Sequence, residues 1–249
     1  MQRLQFTFLL SSVLFLRLRT LLAIDFCQIK SCQGKNHIGC NNDMMFDHNC
    51  LRFHGLVNMA YFREYLLELH NGYRQEVANN SFIDLPPAQK MPELVWDQYL
   101  SVVAEYHLKR CQQELPDNSC CATDDFADPH FNFAEDFYPR PVIPQSNVRE
   151  MTILAEQWLD ELYDMDDIVT DEAESDIRNI INDQSAYMGC AAGQDYDLWN
   201  IHFVLICYYS SGPPHTGQLY TAGQFNASLC PHGPSDEYPS LCKTLTLND

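Results

Sequence analysis

The sequence predicts an α+β fold in which helices pack on a mostly antiparallel sheet. Between residues 61 and 183 apolar residues recur at helical spacing, whereas residues 186–209 are rich in the aromatic and β-branched residues that favour strands. These segments follow one another and do not alternate, which disfavours the repeated βαβ units of a parallel sheet. Eleven cysteines indicate that disulfide bonds staple the fold.

The composition indicates a folded acidic protein. The 249 residues are 46% hydrophobic, and 34 acidic residues stand against 15 basic ones, for a formal net charge of -19. This apolar content is too high for a disordered acidic chain and is sufficient for a sizeable core. A surface this negative repels phosphate groups, so nucleic acids and anionic membranes are disfavoured as partners, whereas cationic peptides and metal ions are compatible with it.

The amino-terminal segment, residues 1–23, is typical of a secretory signal peptide. An apolar run follows Arg3 and ends at the small residue Ala23, where we expect cleavage. An uncleaved anchor is the alternative, and Arg17 and Arg19 make it costly in a bilayer. Cleavage leaves 12 basic residues against 34 acidic ones, a net charge of -22.

The cysteines are distributed as in a disulfide framework of a secreted protein. They are Cys27, Cys32, Cys40, Cys50, Cys111, Cys120, Cys121, Cys190, Cys207, Cys230 and Cys242. A metal cluster is the alternative, but no CxxC pair accompanies it. The number is odd, so Cys120 or Cys121 lacks an intrachain partner and is either a buried, inert thiol or a route to a covalent dimer.

The mature chain is predicted to have three parts. Residues 24–58 are a polar extension that we expect to be pinned by disulfides and not packed as a domain. Residues 59–212 form the main domain, and residues 213–249 form a tail whose two cysteines can close a short loop. Asn79 and Asn226 each begin an N-x-S sequon, which makes them candidate glycosylation sites.

Four helices are predicted. Apolar residues at every fourth position predict the first over about residues 61–78. Asp97 is placed to cap a second helix, because an aspartate side chain can accept a hydrogen bond from the first free backbone N–H groups. The spacing predicts a third over about residues 148–163 and a shorter fourth over residues 172–183.

Two strands are predicted over residues 186–192 and 198–209, separated by a turn at Gly193-Gln194-Asp195. They would form a hairpin with Cys190 and Cys207 opposite each other. One face of the second strand would carry Trp199, Ile201, Phe203 and Leu205.

Several separated segments resemble one family. His70-Asn71-Gly72-Tyr73-Arg74 resembles its HNxxR helix, and Leu94-Val95-Trp96-Asp97 resembles its LxWD segment. Gly189-Cys190-Ala191 and Cys207-Tyr208-Tyr209 resemble its GCA and CxY strands. Over about residues 25–225 the chain is therefore similar to the CAP superfamily of cysteine-rich secretory, antigen 5 and pathogenesis-related proteins. Asp25-Phe26-Cys27 and the cysteines that follow are most similar to the antigen 5 branch from insects.

This resemblance implies a three-layer αβα sandwich and secretion. It also implies a set of disulfide bonds, in which Cys32 pairs with either of two neighbouring cysteines. The implied pairs are Cys27 with Cys40, Cys32 with Cys120 or Cys121, Cys50 with Cys111, and Cys190 with Cys207.

The family's central cleft holds two histidines and two glutamates, which bind a divalent metal in several members. Glu135 matches the first glutamate and Glu161 the second. The first histidine should lie between Cys111 and Cys120, where there is none, and the position of the second is occupied by Asp176. The resemblance therefore implies a cleft of three converging carboxylates, from Glu135, Glu161 and Asp176.

Such a cleft lacks the imidazoles that give a site its zinc affinity, so we expect neither a bound metal nor another cofactor. Like charges at Glu135, Glu161 and Asp176 would raise at least one pKa unless a cation intervened, and Arg178 is a candidate for that cation. His70 and His202 are expected to be structural or solvated histidines and not catalytic bases.

The predicted function is that of a monomeric, non-enzymatic, antigen 5-like protein. It would bind another extracellular protein or a small apolar ligand such as a sterol or a fatty acid, as the resemblance implies. The alternative is a secreted hydrolase that uses Glu135 and Glu161 as an acid and base pair. The chain has no GxSxG nucleophile motif.

Overall fold

The computed structural model of the chain describes residues 24–81, 85–139, 147–165, 167–169 and 176–247. The predicted signal peptide and the first residues of the predicted fourth helix, 172–175, lie outside the described residues. Within these ranges, every helix is too short or too polar to cross a membrane.

The described α-helices have five to sixteen residues, and the strands have two to ten. In chain order the strands are β1 (Asn36–His37), β2 (Phe53–Leu56), β3 (Val95–Trp96), β4 (Ser119–Cys120), β5 (His130–Pro139), β6 (Tyr187–Tyr196) and β7 (Asn200–Tyr209), and the helices are α1 (Arg63–Ala78), α2 (Gln98–Leu108), α3 (Asn147–Asp160) and α4 (Asp176–Ile180). A short 3₁₀ helix, Glu161–Asp164, continues α3.

Five strands form the central sheet, in the order β2-β6-β7-β5, with β3 also paired to β6. The pairs β2–β6, β6–β7 and β5–β7 are antiparallel, and the short pair β3–β6 is parallel. Strands β1 and β4 form a separate parallel pair.

Helices cover both faces of the sheet. Because successive residues of a strand point to opposite faces, strand β7 contributes side chains to both helical layers. On β7, Val204, Ile206 and Tyr208 pack with α2. Phe203 and Leu205 pack with α1, α3 and α4 in the larger cluster. The predicted α+β sandwich on a mostly antiparallel sheet is confirmed.

Helix α2 begins at the predicted cap. The Asp97 side chain accepts a hydrogen bond from the Leu100 N–H at 2.8 Å. The first turn of α2 lies directly on β6 at Gly189, where a Cβ atom would come within 2.3 Å of the Ser101 nitrogen. Only glycine fits at this contact, which explains the glycine of the GCA segment.

The β6–β7 hairpin differs from the prediction in its turn. Gly193, Gln194 and Asp195 lie inside β6, which continues to Tyr196. The chain turns instead at residues 197–199, so Trp199 is exposed and does not share the buried face predicted for it. Glycine often ends a strand, but Gly193 pairs with Val204 within the ladder, so the turn lies beyond the predicted position.

Five disulfide bonds hold the chain together. They join Cys27 to Cys40, Cys32 to Cys120, Cys50 to Cys111, Cys190 to Cys207 and Cys230 to Cys242. Cys121 is the free cysteine. Four of the pairs agree with those that the family resemblance implies and resolve the choice between Cys120 and Cys121, and the fifth closes the short loop predicted for the tail.

The extension at residues 24–58 is more integrated than predicted. Phe26, Ile29 and Ile38 are buried in the α2 cluster, and β2 forms an edge of the central sheet. These residues therefore belong to the folded core, and the disulfides are not their only attachment. The expectation of a merely pinned extension is wrong, because the segment's few apolar residues are spaced too widely to show a period.

Candidate functional site

The three candidate carboxylates do not converge. Glu135 lies on β5 opposite Val204 of β7, and directly opposed residues share one face of a sheet. Because Val204 packs in the α2 cluster, Glu135 also faces the α2 layer. Its neighbour Ala134 faces the other layer.

Glu161 and Asp176 lie on that other face. Glu161 Oε2 accepts a hydrogen bond from the Ile177 N–H at 3.0 Å, at the start of α4. Asp176 is the first residue of the same helix, and Ile177 is buried in the larger cluster. The sheet therefore separates Glu135 from the other two carboxylates, which corrects the predicted three-carboxylate cleft. Arg178, the predicted cation, donates from Nη1 to the Val169 carbonyl at 2.9 Å.

His70 on α1 is a neutral, fully buried histidine. Its Nδ1–H donates to the Leu66 carbonyl at 2.7 Å, so Nε2 accepts from the Tyr209 hydroxyl at 2.9 Å. Burial lowers the pKa of His70 to about 4. Both ring nitrogens are therefore occupied, and His70 is structural, as expected.

An amide network extends from this histidine to α4. Asn132 donates from Nδ2 to the Tyr209 hydroxyl at 3.2 Å and to the Asp176 carbonyl at 3.0 Å. Asn179 in turn donates to Asn132 Oδ1 at 2.7 Å. The amide network thus reaches the backbone carbonyl of Asp176 at the start of α4.

A second neutral histidine lies on the opposite face. His107 on α2 donates from Nε2–H to the Gln113 carbonyl at 2.9 Å and accepts from the Tyr208 hydroxyl at 3.0 Å. Burial lowers its pKa to about 4. The Cys121 sulfur lies 3.2 Å from the same hydroxyl, and burial raises the pKa of this thiol to about 11. A protonated, partly buried thiol is a poor nucleophile.

Another buried histidine, His202 on β7, lies between two carboxylates. Its Nδ1 is 2.7 Å from Asp195 Oδ1, and its Nε2 is 2.9 Å from Glu135 Oε2. Both neighbours are acceptors, so both ring nitrogens must carry a proton, and the ring is an imidazolium. Burial alone would lower the pKa of His202, but the hydrogen bonds and charges of Asp195 and Glu135 outweigh it and raise the pKa above its usual value.

This bridge, Asp195–His202–Glu135, joins three strands and the extension. Asp195 Oδ2 accepts the Leu51 N–H at 2.6 Å, which holds the extension against β6. Phe137 of β5 stacks on the imidazole, with the ring centroids 4.1 Å apart. Burial raises the pKa of Asp195, yet the contacts with His202 and Leu51 more than offset it, so the net shift is downward.

The bridge was missed from the sequence, although a signal was present. Once Cys190 is paired with Cys207, counting five residues from each leads to Asp195 and His202 as directly opposed residues. The predicted turn placed Asp195 outside the strand and hid this pairing. For this hairpin, the disulfide therefore predicts the strand register better than the glycine predicts the position of the turn.

The structure also contains a cavity of about 460 Å³ at the edge of the sheet. It lies where the chain leaves β2, between the start of α1, the first turns of α2 and strand β6. Its lining includes Leu56, Met59, Arg63, Trp96, Glu105 and Ala191. This volume lies within the range of small-ligand pockets, roughly 300–1,000 Å³.

The family model for the cysteine-rich secretory protein family matches residues 67–209, more than half of the chain. The chain belongs to this family. Its relatives include Venom allergen-1 from Aedes aegypti, 25% identical over 227 residues, with 88% of this chain and 87% of the relative covered. Tabinhibitin 3 from Tabanus yao is 25% identical over 226 residues, with 89% and 88% covered.

Among solved structures, NaASP2 with Zn²⁺ superposes with a TM-score of 0.54 at 17% identity, covering 79% of this chain and 99% of that one. This similarity shows the fold. In our chain Glu135 lies across the sheet from Glu161, so these two carboxylates cannot bind one zinc ion together. Among the described residues, one cluster of three metal-ligating side chains combines Asp195 with Cys50 and Cys111, whose sulfurs are joined in a disulfide.

Proposed function

We propose that this member of the cysteine-rich secretory protein family is a secreted, non-enzymatic protein that acts by binding another extracellular protein. The observation that carries this proposal is the separation of Glu135 from Glu161 by the central sheet. An acid and a base must both reach the same reacting group, so carboxylates on opposite faces cannot act as a pair.

Further features support secretion and binding. Five disulfides are typical of an oxidising compartment, and the sequon residues Asn79 and Asn226 are both exposed, as glycosylation requires. One relative is named Tabinhibitin 3, a name that describes an inhibitor. We expect the mature protein to begin near residue 24 and to consist of the extension, the main domain and the tail.

The proposal is tested by assaying hydrolysis and binding on the same preparation. The mature chain is incubated with p-nitrophenyl esters and a fluorogenic peptide library, and we expect no turnover above the rate in buffer. Immobilised chain should retain from its native extracellular fluid a protein that rebinds after both partners are purified. Turnover that Glu135→Gln and Glu161→Gln each abolish would instead establish the hydrolase.

A small apolar ligand is the second candidate, and the cavity at the sheet edge favours it. Trp96, Met59 and Leu56 offer it apolar contact surface. If the protein carries such a ligand, organic extraction of native protein should yield one compound in stoichiometric amount. The variant Ala191→Trp, which fills the cavity, should then yield none, whereas the exposed substitution Tyr61→Trp should not change the yield.

A further inference from the structure

We propose that the tip of the β6–β7 hairpin, with Leu198 and Trp199 at its apex, is the surface through which the protein docks a basic protein partner. This inference rests on the proposed function and specifies its binding surface and the class of partner. We call the surface the hairpin tip and define it as Tyr196–Asn200 together with the adjacent side chains of Phe53 and Phe137.

The hairpin tip exposes large apolar side chains. Leu198 is 72% exposed and Trp199 is 75% exposed. Single exposed apolar residues are common, but two consecutive ones at a protruding turn form a patch that water solvates poorly. Tryptophan is also among the residues that contribute most to protein–protein affinity when they are buried at an interface.

The turn holds these side chains in a defined conformation. The Asp197 carboxylate accepts the N–H groups of Trp199 and Asn200, each at 2.7 Å, and the Asp197 N–H donates to the Asn200 carbonyl at 3.0 Å. A turn already ordered in the free protein loses little conformational entropy on binding. Beneath it, the Asp195–His202 pair links the two strands.

Aromatic residues flank the turn on both sides. On β2, Phe53 stacks on Tyr196 with the ring centroids 5.2 Å apart. On β5, Phe137 is 55% exposed and precedes Pro139, which pairs with Asn200 at the turn. The hairpin tip therefore has a central apolar pair and aromatic edges, the composition typical of the centre of a protein interface.

The charges around the hairpin tip specify a basic partner. Asp197 lies in the turn and Asp136 on the adjacent strand, next to the 41% exposed side chain of Glu135, which pairs with His202. Arg52 lies 5.2 Å from the centroid of Phe53, within the distance of a cation–π contact with that ring. An acidic rim on a protein of formal net charge -19 attracts a cationic surface and repels anionic membranes.

Selection from a random dodecapeptide phage library tests the proposal. The full mature chain is the only selection target, and the affinity of the enriched peptides is then measured for wild type and for the double variant Leu198→Ser/Trp199→Ser. Met45→Ser/Tyr61→Ser, which removes two exposed apolar residues elsewhere, is the matched control. We expect enriched peptides that carry net positive charge and apolar residues, and that bind the hairpin variant about tenfold more weakly than wild type or control.

Affinity for these peptides should also fall as salt concentration rises, because the acidic rim is exposed to solvent. Enrichment of neutral or acidic peptides, or equal binding to the hairpin variant, would overturn the proposal. So would Trp199-dependent co-sedimentation with phosphatidylcholine vesicles, which would identify a lipid surface as the occupant.

The two proposals fail separately. Peptides that bind wild type and hairpin variant equally would show a binding protein that uses another surface, so only the assignment of the hairpin tip would fail. Hydrolysis of the peptides dependent on Glu135 and Glu161 would instead overturn the proposed function, whatever the hairpin variant does.

Discussion

The two ends of strand β7 handle buried histidines in opposite ways. At its carboxyl end, Tyr208 and Tyr209 hold His107 and His70 as neutral rings on the two faces of the sheet. Near its amino end, His202 is an imidazolium between two carboxylates. All three rings are buried, so burial does not decide which of them is charged.

The hydrogen-bond partners decide it. A hydroxyl can donate to a ring nitrogen while a carbonyl accepts from the other, which satisfies a neutral imidazole. Two carboxylates can only accept, which requires a proton on both nitrogens. Burial lowers the pKa of His70 and His107 to about 4, whereas at His202 the hydrogen bonds and charges of Asp195 and Glu135 outweigh burial and raise the pKa. The free energy of unfolding should therefore decrease toward acid because of His70 and His107, and toward alkali because of His202.

The largest effect is expected in acid. Below about pH 6.5 the unfolded chain protonates its histidines, whereas folded His70 and His107 stay neutral until about pH 4. Stability is therefore lost as pH falls through this window, by up to about 3 kcal/mol for each ring. Urea unfolding at pH 7 and pH 4.5 measures this loss, and His70→Gln should reduce the difference between the two values.

The control for this experiment is His48→Gln, because the His48 side chain is exposed. It should leave the difference between pH 7 and pH 4.5 unchanged. An identical acid loss in wild type and His70→Gln would show that the neutral histidine at this end of β7 does not contribute to acid sensitivity.

The next largest effect is expected from the Cys190–Cys207 disulfide, whose Cys207 lies on β7 between His202 and Tyr208. Cys190 and Cys207 are fully buried and join β6 to β7. Replacing both by alanine should lower the free energy of unfolding by about 2–5 kcal/mol, as usual for secreted domains. Chemical denaturation measures it, with Cys121→Ala as the control that removes a thiol and no disulfide. A double variant as stable as that control would contradict the prediction.

A smaller effect is expected from the buried half of the bridge. Asp195 is 4% exposed, and Asp195→Asn leaves a buried imidazolium with one anionic partner. We expect a loss of about 3 kcal/mol at pH 6.5, the lower end of the range for breaking a buried ion pair. Because Asp195 also accepts the Leu51 N–H, hydrogen exchange at Leu51 should accelerate with the same substitution. Unchanged exchange at Leu51 would mean that the bridge does not hold the extension.

The sequence predicted the helices and the disulfide-linked hairpin well, because both rest on local signals. Asp97 caps α2 through a hydrogen bond within its own turn, and a disulfide places two strands side by side. Such signals do not depend on the rest of the fold. The error at Gly193 arose where a local signal, glycine, was outweighed by pairing with β2 and β7.

The candidate site could be predicted less well, because it depends on which face of a strand each residue occupies. Shifting by one residue moves a side chain to the other face of the sheet. The match to the family's motif singled out Glu135 but not its partner, His202, which lies 67 residues away in sequence. Without the β5–β7 register, Glu135 and Glu161 looked like a pair.

The smallest predicted effect separates the exposed half of the bridge from its buried half. The Glu135 side chain is 41% exposed, so solvent weakens its attraction to His202, and Glu135→Gln should cost less than about 1 kcal/mol at neutral pH. A raised histidine pKa contributes stability that is present below pH 6.5 and is lost as pH rises through the folded pKa. Removing one anion lowers that pKa, so the alkaline loss of stability should begin at lower pH in Glu135→Gln than in wild type.

Titration of the His202 ring by NMR measures the shift, and Asp236→Asn, which disrupts an exposed pair with Lys243, should not move it. If His202 titrates identically in Glu135→Gln and wild type, Asp195 alone keeps the ring charged, and the charged end of β7 depends on a single pair.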